Sequence, residues 1–299
     1  MMSDADWAFT QYEKVRDALP KAAFPARSSH IANISEVADQ FDVFLLDAFG
    51  VLNVGDTVIE GAPERVAALQ AAGKQVFVLT NCASLPPEVS LAKYRKFGFN
   101  FQQSDVIASR DALSVGLAGR SEKLWGVMAL EHSRLEDFPV PCVRLGLDAE
   151  MFDKVEGFIL LGSAPWTEEH QDMLVSSLKR NLRPVMVGNP DIVAPRETGL
   201  SLEPGWYGHD LAHRTGIKPE FFGKPFMNVY DLALAQVDPA IPRDRIAMVG
   251  DTLHTDVLGG AAIGVKTILI TEYGLFAGKD VADYITQSGI VPGWISRQI

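Results

Sequence analysis

The sequence is poor in cysteine, in net positive charge and in long apolar runs, and each shortage removes a class of function. Cys82 and Cys142 stand alone without CxxC spacing, which indicates neither a disulfide framework nor a cysteine-rich zinc site. Lys and Arg number 27 against 38 Asp and Glu, for a formal net charge of −11. That balance argues against general binding of nucleic acid or of an anionic membrane surface, which call for a basic face. No run approaches the ~18 apolar residues of a membrane span. The first residues, MMSDADWAFTQ, are acidic and lack the apolar stretch of a signal peptide, so the expected compartment is the cytoplasm. Pro and Gly are scattered, with no low-complexity linker and no internal repeat.

What is present is the pattern of a globular α/β protein, with 47% hydrophobic and 22% charged residues over 299 positions. Short apolar runs rich in β-branched and aromatic residues read as strands: 41–46 (FDVFLL), 75–79 (QVFVL), 158–161 (FILL), 184–187 (PVMV), 246–249 (IAMV) and 267–270 (TILI). Between the first two lies PERVAALQAAGK, residues 63–74, with Pro63 in a first turn, Val66, Leu69 and Gln70 at helical spacing, and Gly73 as a stop. Strand, helix, strand repeated in this way predicts a parallel sheet covered on both faces. Three of the strands end in a small polar or acidic group: Asp47, then Thr80 with Asn81, then Asp251. Side chains just past the carboxyl ends of parallel strands converge on one crevice. Any one of them reads equally well as a turn or helix cap; the three together do not.

Four motifs in order carry a more specific likeness: FLLDAFGVL around Asp47, VLTN ending at Asn81, FFGKP around Lys224, and VGDTLHTDVLGGAAIGVKTILI over 249–270. Over roughly residues 36–299 the chain resembles the haloacid dehalogenase-like hydrolases of class IIA. The resemblance implies a doubly wound, Rossmann-like parallel core with an inserted α/β cap of the C2 type. It implies a Mg2+-dependent phosphatase of a small phosphorylated metabolite, working through an aspartyl-phosphate. Asp47 would be the nucleophile. Lys224 would neutralise nucleophile and phosphoryl oxygens, and Thr80 and Asn81 would bind the phosphate. Asp47, the backbone carbonyl of Phe49 and Asp251 would hold the metal, and Asp256 would be either a ligand or a support behind one. Asp256 reads equally as the first-turn acid of a helix through Leu258.

The 32 residues between Asp47 and Thr80 leave no room for an inserted domain, whereas 143 lie between Thr80 and Lys224. The cap is therefore expected at 119–216, with the core at 1–118 and 217–299 and a helical N-terminal extension over 1–35. Asn189-Pro190-Asp191 matches a recurrent cap motif and reads as a turn and domain contact. Trp206, Tyr207, His209 and Asp210 fall in a segment that commonly faces substrate, so they are candidates for specificity. His254, inside the metal loop, is a candidate proton donor.

The chain also departs from the family pattern. Its phosphatases carry a second aspartate two residues after the nucleophile, to protonate the leaving oxygen; here that residue is Phe49, which moves no protons. A positioned general acid contributes ~10²–10⁴-fold. Cys82 and Leu85 likewise replace polar residues after the second motif. Two alternatives follow: a catalytically silent phospholigand-binding protein, and a non-phosphatase hydrolase of the same superfamily. A homodimer is left open; nucleic-acid and membrane partners are not expected.

Overall fold

The structure, a computed structural model, describes residues 4–196 and 199–299. Its frame is a seven-stranded sheet in which all neighbours run parallel. From edge to edge the strands are Ser29–Ile31, Trp294–Ser296, Lys266–Ile270, Ile246–Gly250, Val43–Leu46, Gln75–Thr80 and Val106–Ala108. The chain steps outward in one direction from Val43–Leu46 and in the other from Ile246–Gly250. These two strands are hydrogen-bonded neighbours although some 200 residues separate them. They form the point where strand order reverses, where open α/β sheets bind their ligands.

The central strands are apolar on both faces for a visible reason. Val43, Leu45, Phe77, Leu79, Ile246 and Met248 enter one core cluster, and their alternates Phe44, Leu46, Val76, Val78, Ala247 and Val249 enter another. Each face is covered by helices, so a period-two pattern has no solvent side to mark. The helix foreseen at 63–74 spans Ala62–Ala71. Pro63 lies in its first turn, Val66 and Leu69 are buried, and Gly73 follows its end.

A second, five-stranded parallel sheet comprises Glu220–Phe221, Val185–Val187, Gly157–Leu160, Trp125–Met128 and Cys142–Arg144, in that order. Its inner residues Trp125, Val127, Ile159 and Met186 share a cluster with the first sheet. They do so through the helix Ser109–Leu117, whose Leu113 and Leu117 are buried. Gly216, with φ 75°, ends the helix Pro204–Thr215, and the chain then adds the strand Glu220–Phe221 to this sheet. A helix, Ala5–Lys14, is followed by the edge strand Ser29–Ile31, which pairs with Trp294–Ser296. Among the described residues, no helix is long and apolar enough to cross a membrane.

Candidate active site

Asp47, Thr80 and Asp251 stand at or just past the carboxyl ends of neighbouring strands, and the register brings them together. The backbone N–H of Asp47 donates to the Val249 carbonyl at 2.8 Å, which holds the start of that loop against the strand that delivers Asp251. One carboxylate oxygen from each of Asp47, Asp251 and Asp256 lies within 4.8 Å of the others. Asp256 reaches the group from the helical turn 253–257 and is anchored by the Thr252 N–H at 3.1 Å.

Two glycines let the acids pack this closely. A Cβ on Gly50 would lie 2.7 Å from the Asp251 Cβ, and one on Gly274 would lie 1.9 Å from the Asp251 Oδ2. Both residues have positive φ, so neither position accommodates a side chain. The loop containing Gly274 also turns the Leu275 N–H onto Asp251 Oδ2 at 2.7 Å.

Into this cluster comes Lys224, only 2% exposed. Its Nζ lies 2.6 Å from Asp47 Oδ1 and 2.7 Å from Asp256 Oδ1. Burial would pull the ammonium down, but Asp256 and Asp47 outweigh it and hold the Lys224 pKa above the usual lysine value. The acids are pushed the other way. Burial, against the pull of Lys224 and with the push of Asp256, raises Asp47 to about 7. Burial, then the charges of Asp47 and Asp256, carry Asp251 well above its ordinary value. One ammonium among three carboxylates leaves an excess of buried negative charge. A hard cation with oxygen ligands would relieve that excess, and the donor set here consists of carboxylate oxygens.

The Asn81 side chain is spent on the backbone of Lys224 and on Asp191. Its Oδ1 accepts from the Lys224 N–H at 2.7 Å, and its Nδ2 donates to the Lys224 carbonyl at 2.9 Å and to Asp191 Oδ1 at 2.8 Å. The amide grips the lysine backbone from both sides. Thr80 is buried, and its hydroxyl accepts from the Cys82 N–H at 3.2 Å.

The acids open into a cavity of about 450 Å³ lined in part by Asp47, Phe49, Thr80, Asn81, Asp251 and Thr255. The residues following three strands of the second sheet form much of the opposite wall: His132, Ser163, Asn189 and Asp191. Phe49 stands at the wall with the Lys93 ammonium 5.2 Å from its ring centre. Lys93 also donates to the Gly55 carbonyl at 3.0 Å and pairs with Asp56 at 3.4 Å. Asp191, read in the sequence as a turn and contact residue, is a titratable group of this wall. Burial raises it to about 8 despite Lys224 and the Asn81 hydrogen bond.

Five candidates do not line the cavity. Trp206 packs on Trp7 with ring centres 5.2 Å apart. Tyr207 lies against the apolar cluster behind the second sheet. His209 stacks on Phe221 at 4.6 Å, and burial lowers its pKa to about 4. Asp210 accepts from Gln171 at 2.8 Å and from Arg214 at 3.3 Å. The helix that carries these four spends them on packing and on its neighbours. His254 is 1% exposed and turns to the N-terminal helix, where its Nε2 meets Glu13 Oε1 at 2.5 Å. From that position its imidazole faces the N-terminal helix and not the cavity. His132 and Ser163 were missed, and Asn189 was read only as a turn and contact residue, although the strand-end rule that found Asp47, applied to WGVM, FILL and PVMV, points to the segments that hold them. Lys93 sits inside an ordinary amphipathic helix, Pro87–Lys96, and nothing in its surroundings marks it.

Comparison with known proteins agrees with this geometry. Residues 44–136 match a family model described as haloacid dehalogenase-like hydrolase, and residues 221–292 match one described as HAD-hydrolase-like. The acid sugar phosphatase of Staphylococcus aureus is 26% identical over 253 residues, 81% of this chain and 90% of that protein. The crystal structure of a possible sugar phosphatase from Cytophaga hutchinsonii superposes with a TM-score of 0.77 at 24% identity, over 91% of this chain and 98% of the other. The glycerol phosphate phosphatase of Mycobacterium tuberculosis in complex with magnesium superposes with a TM-score of 0.67 at 20% identity, over 87% and 75%. The two matched segments deliver all three clustered acids and Lys224 and leave most of the second sheet between them; with its motifs in this order on this fold, the chain belongs to the haloacid dehalogenase-like hydrolases, in the class IIA arrangement.

Proposed function

We propose that this chain is a Mg2+-dependent phosphohydrolase of a small, hydroxyl-bearing phosphorylated metabolite. One observation carries the reading: a carboxylate, Asp47, held 2.6 Å from a buried lysine and clustered with two further acids at the floor of a cavity. Asp47 attacks phosphorus, the P–O bond to the leaving group breaks, and an aspartyl-phosphate forms that water then hydrolyses. Lys224 stays protonated and offsets charge on the attacking carboxylate and on the phosphoryl oxygens, and its place is kept by the Asn81 grip on its backbone. Thr80 and the backbone N–H groups around Asn81 would bind the phosphoryl oxygens. Asp47, Asp251 and the Phe49 carbonyl would hold the metal, with Asp256 a ligand or the carboxylate that keeps Lys224 and the loop in place. When bound, the metal would cancel the repulsion between a carboxylate nucleophile and a phosphate dianion. The second sheet serves as the cap, spanning about 119 to 221. Its His132, Ser163 and Asn189 line the cavity and would offer polar contacts to a polyol or sugar. The sugar phosphatase names of the relatives accord with this.

Phe49 shapes the expected substrate range. With a ring where a proton donor is usual, leaving groups that depart as stable anions are favoured over alkoxides. The test is kcat/KM for an aryl and an alkyl phosphate, in Mg2+ and in chelator, for the parent and for Phe49→Asp. The expected result is turnover that requires Mg2+, favours the aryl ester, and gains up to ~10²-fold on the alkyl ester in Phe49→Asp. Equal turnover in chelator would overturn the metal-dependent reading. Binding of phosphate analogues without turnover of either ester would favour the second reading, a phospholigand-binding protein, for which the missing acid at position 49 is the specific observation.

A further inference from the structure

The N-terminal helix Ala5–Lys14 lies outside both sheets and outside the four motifs, yet its buried face touches the two loops on which the site depends. Tyr12, 2% exposed, stacks flat on His254 with ring centres 5.0 Å apart and planes within 9°. Its hydroxyl accepts the Ile192 N–H at 3.1 Å. Phe9 meets the edge of the same imidazole at 5.4 Å, and Glu13 binds its Nε2. One turn earlier, Trp7 packs on Trp206 of the cap helix. Asp6 is bonded to Tyr284 and, at 2.9 Å, to Lys279 on the core side. The apolar cluster around the helix therefore joins Ile192 and Val193 to Leu253, Val257 and Leu258, and to Leu275 and Phe276.

Those contacts have consequences because of what their neighbours do. Ile192 follows Asp191, which bonds Asn81 and through it the backbone of Lys224. His254 lies in the turn between Asp251 and Asp256. Leu275 donates its N–H to Asp251. A single helix thus abuts the segments that set three of the four charged groups of the site, from the side away from the cavity.

We propose that this helix is a strap, with Tyr12 and Glu13 as positioning residues, that locks the cap loop 189–192 to the acid-bearing turn 251–258 and so sets both the metal site and the closure of the cap over it. Its functional meaning rests on the phosphohydrolase reading; the mechanical coupling does not. A turn so short and so charged gains its order from packing behind it, and aromatic stacking with complete burial supplies that order.

Amide hydrogen exchange on the full chain, with Mg2+ affinity measured by calorimetry, tests the strap in Tyr12→Ala and Tyr12→Phe. In Tyr12→Ala, exchange at Ile192 and across 252–258 is expected to accelerate at least ~10-fold, while the distant helix Glu168–Arg180 keeps its protection. Mg2+ binding is expected to weaken ~10-fold or more, as when the support of a ligand is lost. Tyr12→Phe keeps the stacked ring and loses only the hydroxyl. It should release Ile192 and leave 252–258 and Mg2+ affinity at parent values, a split that general destabilisation does not produce. Unchanged exchange in both loops, or equal acceleration in Glu168–Arg180, would overturn the strap. If Tyr12→Ala fails to fold, retained protection at Ile192 in Tyr12→Phe would do so. A parent that binds Mg2+ but hydrolyses no phosphate ester would sink the phosphohydrolase reading, and the exchange data would still decide the coupling.

Discussion

The two sheets of this protein are both parallel, both buried and both aim the carboxyl ends of strands at one cavity, yet they equip those ends differently. The seven-stranded sheet presents charge: Asp47, Asp251 and Asp256 cluster within 4.8 Å, Lys224 pairs with Asp47 and Asp256, and all four are almost out of water. The five-stranded sheet presents mostly neutral donors and acceptors, several committed to their own loops. Ser163 donates to the Leu202 carbonyl at 2.7 Å, and Asn189 donates to Glu203 at 3.2 Å while accepting from the Asp191 N–H at 2.9 Å. His132 is exposed. Burying uncompensated charge is costly, and it persists where each group is fixed by others. On the function proposed above, this is a division of labour: the core edge would act on phosphate, and the cap edge would recognise what is attached to it.

The sharpest way to break that division is Asp47→Asn. Turnover should fall by at least about 10³-fold, because an amide cannot attack phosphorus and is a poorer ligand. Circular dichroism should stay at the parent's. Activity within tenfold of the parent would remove Asp47 from the chemistry and leave the core edge without its role.

Within the core edge, Asp251→Ala should raise the Mg2+ concentration for half-maximal rate more than Asp256→Ala. The expected gap is ~10-fold or more, because a direct ligand outranks a carboxylate whose observed partner is Lys224. The reverse order would assign the metal to Asp256 and make Asp251 the support.

On the cap edge, His132→Ala should change KM severalfold, within about one order of magnitude, and do so unequally for different leaving groups. For an aryl phosphate kcat should hold. A uniform fall in kcat for all substrates would mean that this edge also takes part in the chemistry.

The smallest expected effect is on stability. Asp47 and Asp191 titrate in the folded protein near 7 and 8, and near their ordinary 3.8 when unfolded. Between those values the folded state binds more protons, so stability falls as pH rises through that window. His209, lowered to about 4 from 6.5, acts oppositely, but its contribution is complete by pH 6.5. Metal-free protein should therefore lose several degrees of Tm between pH 6.5 and 8. Mg2+ should remove part of the loss and Asp191→Asn another part. A flat or rising Tm in chelator would show that the acid cluster is already compensated.

The core strands and their terminal acids were legible in the sequence because a parallel strand covered on both faces is a continuous apolar run, and its reactive group follows at a fixed place, as at Leu46-Asp47 and Gly250-Asp251. Short edge strands such as Ser29–Ile31 were not, since three residues carry no period. Trp125–Met128 was hidden by Gly126, where a Cβ would sit tightly against Leu145 and Val155, about 3.0–3.1 Å away. The sequence by itself thus determined the family, the parallel core and the identity of the charged groups at its switch point. Only the tertiary structure decided that Asn81 grips the backbone of Lys224, that His254 and Trp206 face the N-terminal helix rather than the cavity, and that Asp191 and Lys93 line the cavity. Strand periodicity is local and repeats along the chain, whereas the direction in which a polar side chain points is set by partners that can lie 241 residues away, as Glu13 does from His254.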